Sequence, residues 1–146
     1  MRASASACVA GGDYLLRHQK PDGDFGYRYR ADTDRYLSGY NLLRHAGTTY
    51  ALLELYQVTR DDRYRDGADR ALAALVEHAS PLRPEHRRPD VETLVESGPD
   101  GDKAKLGGAA LALLAMMKYQ ETTGDKKWLP RAQNFARFLL FRQEPS

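Results

Sequence analysis

The sequence predicts an all-α fold of repeated helical hairpins, with long loops and a short β-hairpin-like stretch on one face. Three observations carry this prediction. Apolar residues recur with the helical period in five segments. Two of the connections between those segments are very short. The chain also aligns with itself at an offset of 64 residues, since Tyr64 meets Trp128, Ala68 meets Ala132 and Leu75 meets Leu139.

The first helix is expected from about Ser4 to Gln19, with Tyr14, Leu15 and Leu16 in its last turns. The second runs from about Asn41 to Thr59, where Leu52, Leu55 and Tyr56 keep the i, i+3, i+4 spacing. The third spans about Arg63 to His78 and carries Ala68, Leu72, Leu75 and Val76. The fourth spans about Leu106 to Thr123, with Leu111, Leu114 and Met117 or Lys118 a turn apart. The fifth spans about Lys127 to Arg142, with Trp128, Phe135, Phe138 and Leu139. TRDD (Thr59 to Asp62) and TGDK (Thr123 to Lys126) are tight links, and Gly124 stands where a helix C-cap favours glycine. The other two connections are long. FGYRYR (Phe25 to Arg30) alternates as a strand with Phe25, Tyr27 and Tyr29 on one face, and DVETLVES (Asp90 to Ser97) is a weaker strand candidate.

The first helix joins the repeat as well. YLLRHQKPDG from Tyr14 resembles FLLFRQEPS from Phe138, at about twice the first offset. The unit is therefore a helix hairpin plus a long loop, about 62 residues in all. The phase suggests one partial domain over residues 1–146, with units of about 1–40, 41–105 and 106–146. It also suggests that remaining repeats belong to a longer parent chain. Repeat stacks need neighbours to bury their end faces, so apolar surface should be exposed.

Hairpins of this length, followed by Q-x-x-D-G-x-F (Gln19 to Phe25), resemble the α/α-toroid proteins. That superfamily includes six-hairpin glycosidases, sugar epimerases, terpene cyclases and lanthionine synthetases. The element is similar to the terpene-cyclase Q-x-x-x-G-x-W repeat, with Phe25 in the aromatic place after a shorter gap. The acidic cyclase motif is absent, because ADTD (Ala31 to Asp34) does not match it, and one cysteine cannot supply the lanthionine synthetase zinc ligands. Six-hairpin carbohydrate enzymes are the nearest general likeness. The resemblance implies inner helices lining a cavity, with the site on the long-loop face at their N-termini. Fold analogy leaves the reaction open.

Composition sets limits. The chain has 146 residues, 42% of them hydrophobic, enough for one sizeable core. With 22 basic and 20 acidic residues the net charge is +2, which gives no basic stripe for nucleic acid. The Arg-rich loop at Arg83, Arg87 and Arg88 also holds Glu85 and Asp90 and reads as a solvated loop. Cys8 is the sole cysteine, which fits a reducing, cytoplasmic setting. MRASASACVAGG lacks the apolar core of a signal peptide, and no apolar run reaches the roughly 20 residues that span a bilayer. Neither a membrane nor a nucleic-acid partner is expected.

The residues that point to chemistry cluster at the start of the second helix. Asn41, Arg44, His45 and Thr48 recur at i, i+3, i+4 and i+7 and so share one helix face. A helix N-terminus favours an anionic or hydroxyl-rich ligand. The same residues also fit structural roles: Asn41 as N-cap, Arg44 paired with Asp32 or Asp34, and His45 as a satisfied core histidine. At the repeat offset Lys105, Gly108, Ala109 and Ala112 replace the four, so the scaffold itself does not require the polar stripe.

Tyr27, Tyr29, Tyr36 and Tyr40 crowd the first long loop, and aromatics beside Asp and Arg suit a sugar or equally plug a rim. Glycoside hydrolysis wants two carboxylates about 5–10 Å apart. Asp22, Asp24, Glu92 and Glu96 are the candidates, with a solvated role as the alternative. Lys103 and Lys105 suit a uronate carboxylate or, equally, a solvated role. No phosphate loop, nucleophile elbow or metal-ligand spacing is present, and His18, His45, His78 and His86 are scattered, so no metal or cofactor is expected.

Together these readings give a carbohydrate-active domain, hydrolase or epimerase-like if it is an enzyme. His45, Arg44 and Glu96 are its candidate catalytic groups. Asp24, Tyr27, Tyr29, Tyr40, Asn41, Thr48 and Lys105 are its candidate substrate contacts. Two alternatives are a non-catalytic helical scaffold binding a peptide or protein, and a terpene-cyclase-like protein.

Overall fold

The computed structural model describes residues 2–26, 28–37, 39–81, 90–98 and 101–143. Over these residues the chain is mostly helical, with two small antiparallel sheets. The helices are α1 (Arg2–Arg17), α2 (Leu42–Thr59), α3 (Asp62–Val76), α4 (Leu106–Thr123) and α5 (Leu129–Gln143). A hairpin of β1 (Arg28–Arg30) and β2 (Arg35–Leu37) follows α1. Three strands, β3 (Ala79–Pro81), β4 (Glu92–Gly98) and β5 (Gly101–Ala104), form the second sheet in the order β3-β4-β5.

Local chemistry explains the helix ends. Asn41 accepts a bond from the Arg44 N–H and caps α2. Arg60 closes α2 in the left-handed region at φ 57°, and Asp61 caps α3 by accepting from the Arg63 N–H. The link between α2 and α3 is thus two residues long, and α3 folds straight back on α2. Gly124 closes α4 at φ 76°, as its place in the sequence suggested.

The strand expectations need correction. Phe25 lies before the first strand, which is confined to Arg28–Arg30. Phe25 forms instead an isolated bridge with Gln19 and packs on the core. The weaker candidate, Asp90 to Ser97, covers most of the longest described strand, Glu92–Gly98, whose first half pairs with β3, where Thr93 and Leu94 are buried, and whose second half pairs with β5. The Arg-rich loop at Arg83, Arg87 and Arg88 lies outside the described residues.

The core sits where α2, α3 and α4 meet. Leu52 and Leu53 of α2, Tyr64, Leu72 and Leu75 of α3, Met116 of α4 and Phe135 of α5 are almost wholly buried. α2 and α4 run side by side in the same direction, with Leu42 near Gly108, Leu43 near Gly107 and Gly47 near Leu111. Small residues at these places let the two backbones approach. Farther along the same seam Lys118 of α4 reaches Glu54 and Gln57 of α2, each at 2.6 Å. A nearly buried ammonium needs such partners, since unpaired burial of charge is costly. The Glu54 hydrogen bond holds the Lys118 ammonium above the usual lysine range.

α1 closes one side of this core. The Tyr64 hydroxyl donates to Asp13 at 2.9 Å, and Gly67 of α3 leaves room for the Leu16 side chain. At the other end Asp69 of α3 accepts from Trp128 at 3.1 Å and from Lys127 at 2.6 Å, tying the start of α5 to α3. Val91, Ala109 and Phe138 form a smaller cluster beneath the second sheet.

Candidate functional site at the start of α2

The stretch Gln19–Phe25 is a clamp between α1 and α3. The Gln19 side-chain amide donates to the Gly23 carbonyl at 3.1 Å and to the Gly67 carbonyl at 2.8 Å, while its oxygen accepts from Arg70 at 2.9 Å. Within the turn, the Gly23 N–H donates to Lys20 and the Lys20 N–H donates to Asp24. Asp22 accepts from the Asp24 N–H at 3.0 Å. Gly23 is buried at φ 95° with its α-carbon against the Arg70 carbonyl. The turn therefore presents Asp24 and Phe25 to the first turns of α2. Gln19→Ala should destabilise the fold by about 1–2 kcal/mol, since it strips partners from two partly buried carbonyls. Urea unfolding measures this.

His45 is the centre of the cluster, and it is 3% exposed. Its Nε2 lies 2.9 Å from the Ala71 carbonyl, which can only accept, so Nε2 carries the proton. Nδ1 is then the acceptor, and the Tyr40 hydroxyl donates to it at 2.6 Å. Asp24 Oδ1 lies 3.5 Å from the same Nδ1. The one Tyr40 proton cannot serve both acceptors: given to His45 it leaves Asp24 Oδ1 without a protein donor, although the Tyr40 hydroxyl also lies within reach of the Asp24 carboxylate. Phe25 meets the imidazole edge-on at 5.1 Å, and Tyr40 stacks on His78 at 4.5 Å. Thr49 donates back to the His45 carbonyl at 2.9 Å and holds the helix turn beneath it.

The charges follow from this geometry. Burial pushes the His45 imidazole below the ordinary histidine value; the Ala71 carbonyl and the Asp24 charge pull upward without reversing the shift. Burial, and then the Asp24 charge, push the Tyr40 phenol far upward, so it stays protonated. A histidine that resists protonation in the folded state makes the unfolded chain the better proton binder in acid. Its contribution is complete above the ordinary value of about 6.5 and is lost as pH falls through it towards the folded value. The urea midpoint of the protein should therefore fall between pH 7.5 and pH 5, and His45→Gln should flatten that fall.

The other predicted residues divide into three groups. Asn41, Arg44 and Thr48 line one cavity of about 150 Å³ with Tyr40, His45, Leu15, Phe25 and Gly26. Asn41 also serves as the N-cap, and Asp32 and Asp34 are engaged by Arg30 and Tyr29.

Glu96 and Lys105 stand together at a second cavity of about 180 Å³, between the starts of α2 and α4. Glu96 accepts from the Leu42 N–H at 2.9 Å and pairs with the Lys105 ammonium. Burial alone would raise the Glu96 carboxyl, but Lys105 and the Leu42 N–H together hold it below the usual range. Glu96 is thus an anchor for the α2 N-terminus. Glu92 is held by Arg131 at 2.7 Å.

Tyr29 stands apart, on β1 against Tyr36, with its hydroxyl given to Asp34 at 2.6 Å. The hairpin places the Tyr29 ring with the end of α1, away from the described contacts of His45. Tyr27 lies outside the described residues, as does His86.

Two contacts were not assigned to the site from the sequence. Phe25 is a wall of the His45 pocket, and His78 stacks on Tyr40. Q-x-x-D-G-x-F flagged the first; nothing in the sequence joined His78 to Tyr40. Among the described residues no group of three or more His, Cys, Asp or Glu side chains is arranged to hold a metal ion. No described helix is long and apolar enough to cross a membrane.

No family model matches the chain, and no curated protein matches it in sequence.

Proposed function

We propose that this chain is part of an α/α-toroid-like helical-repeat protein that takes a carbohydrate at the N-terminal end of α2 and acts on it by acid–base chemistry. The observation that carries the reading is the Asp24–Tyr40–His45 cluster, in which one phenol proton is shared between a neutral imidazole and a carboxylate oxygen that has no other protein donor. Proteins rarely leave such a group unsatisfied without a use for it. One proton changes the whole arrangement. If Nδ1 of His45 takes it, the imidazolium donates to the Tyr40 oxygen, and the Tyr40 proton turns to Asp24. The cluster can thus take up one proton and return it; general acid–base chemistry also needs a member within hydrogen-bond reach of the substrate, and Asp24, whose side chain is 23% exposed, is the member that opens to solvent. Asn41, Arg44 and Thr48 offer hydrogen-bonding groups in the adjoining cavity, and Phe25 and Tyr40 offer ring faces. That mixture suits a hydroxylated ring.

The parallel seam of α2 and α4 supports the repeat reading, because its contacts pair residues about 64 apart, such as Glu54 with Lys118. The cyclase alternative draws less support: the His45 cavity is small and its walls include Asn41, Arg44 and Thr48. The scaffold alternative draws on exposed Leu106, Leu114 and Met117 of α4 and Leu43 of α2, which offer a partner an apolar face.

The test is incubation of the protein with neutral and uronate oligosaccharides, reading new reducing ends. Release that disappears in Asp24→Asn upholds the reading. Binding without release reduces it to a carbohydrate-binding module. Binding of no sugar overturns it.

A further inference from the structure

Gly26 lines two cavities. One is the His45 pocket. The other, of about 240 Å³, lies between the end of α1 and the β1–β2 hairpin, with His18 and Tyr36 among its walls and Arg17 and Lys20 beside them. A row of rings runs past it. Tyr14 stacks on His18 with centroids 4.0 Å apart, His18 neighbours Tyr36 at 6.2 Å, and Tyr36 neighbours Tyr29 at 5.2 Å. Tyr14, Tyr29 and Tyr36 are each about half exposed, at 46%, 46% and 51%. Two of them have defined partners. Tyr29 is tied to Asp34, and the Tyr36 ring lies so close to Gly26 that a β-carbon there would stand 2.6 Å from it.

Exposed rings aligned in a row are a contact surface rather than a core, because their apolar faces stay in water until a ligand covers them. The cavity walls carry Arg17 and Lys20, while the Asp34 carboxylate sits at Tyr29 on the far side of the row. Arg17 has no ion-pair partner among the described residues, and Lys20 has only Asp24 at 3.9 Å. Through Gly26 this surface continues the His45 pocket.

We propose that it is a second subsite, one that binds an anionic sugar ring next to the one held at His45. This assignment rests on the carbohydrate reading and makes the ligand an acidic oligosaccharide rather than a single sugar. The rings would stack on C–H faces while Arg17 and Lys20 meet the carboxylate.

Isothermal titration of the full chain with D-galacturonate, trigalacturonate and maltotriose tests it. Trigalacturonate should bind at least tenfold more tightly than galacturonate. Tyr36→Ala should remove that gain, so that the trimer binds the variant no more tightly than galacturonate does. Gly26→Ala, which displaces the ring without deleting it, should do the same. Equal affinities for monomer and trimer, or a gain that survives Tyr36→Ala, would overturn the subsite while leaving the His45 reading intact. An equal gain with maltotriose overturns the anionic assignment. Tyr36-dependent trimer binding that Arg44→Ala leaves unchanged upholds the subsite and removes the reading at His45. Binding of none of the three sugars overturns both.

Discussion

Gly23→Ala should destabilise the protein by about 3–5 kcal/mol, a large share of the stability of a domain this size. Two effects add. The backbone at φ 95° is strained for any residue with a β-carbon, worth about 1–3 kcal/mol. The new methyl would also collide with the Arg70 carbonyl oxygen and press on Ala74. The first of these is backbone within α3, which cannot move aside as a side chain can, so about 1–3 kcal/mol of overpacking follows. Gly124→Ala is the natural comparison. It has a similar φ of 76° and open space around it, so it should cost only about 1 kcal/mol. Urea unfolding of the two variants separates strain from collision. Residual folded Gly23→Ala should also have lost the Asp24–His45 approach, visible as a changed imidazole shift by NMR.

Asp24→Asn should lower turnover of a bound oligosaccharide about 100-fold, the worth of one general acid–base group. The substitution keeps the shape of the side chain and the turn that carries it. It removes the negative charge beside His45 and the acceptor that Tyr40 would use when His45 takes a proton. A folded variant with unaltered turnover would show that Asp24 serves only the turn. Release of new reducing ends gives the turnover, and circular dichroism gives the fold.

The helices were legible in the sequence because each carries its own signals. The apolar period, Asn41 at one end and Gly124 at the other are all local, and α4 spans Leu106–Thr123, the expected bounds. The half-buried polar stripe was legible for the same reason: Asn41, Arg44, His45 and Thr48 share a helix face and line one cavity.

What the sequence hid depends on long-range placement. Alternation put Phe25 and Tyr29 on one face, yet the chain bridges Gln19 to Phe25 first, and only then starts a strand. Phe25 consequently goes to His45 and Tyr29 to Tyr36. Glu96 looked like a free carboxylate, but β4 lays it across the start of α2, where an N–H and Lys105 claim it. Asp24 owes its place to Gln19 and Gly23, which bind to α3 some 50 residues away. No spacing rule within the turn reveals that partner.

The melting temperature of Asp24→Asn at pH 7.5, set beside that of the unaltered protein, tests the central claim most directly. If Asp24 Oδ1 is a buried acceptor kept short of donors for chemistry, neutralising it relieves a poorly satisfied charge, and the variant should melt about 2–4 °C higher, near 1 kcal/mol. If the carboxylate is a structural partner of a charged His45, the variant will melt lower, and the acid–base account of this site is wrong.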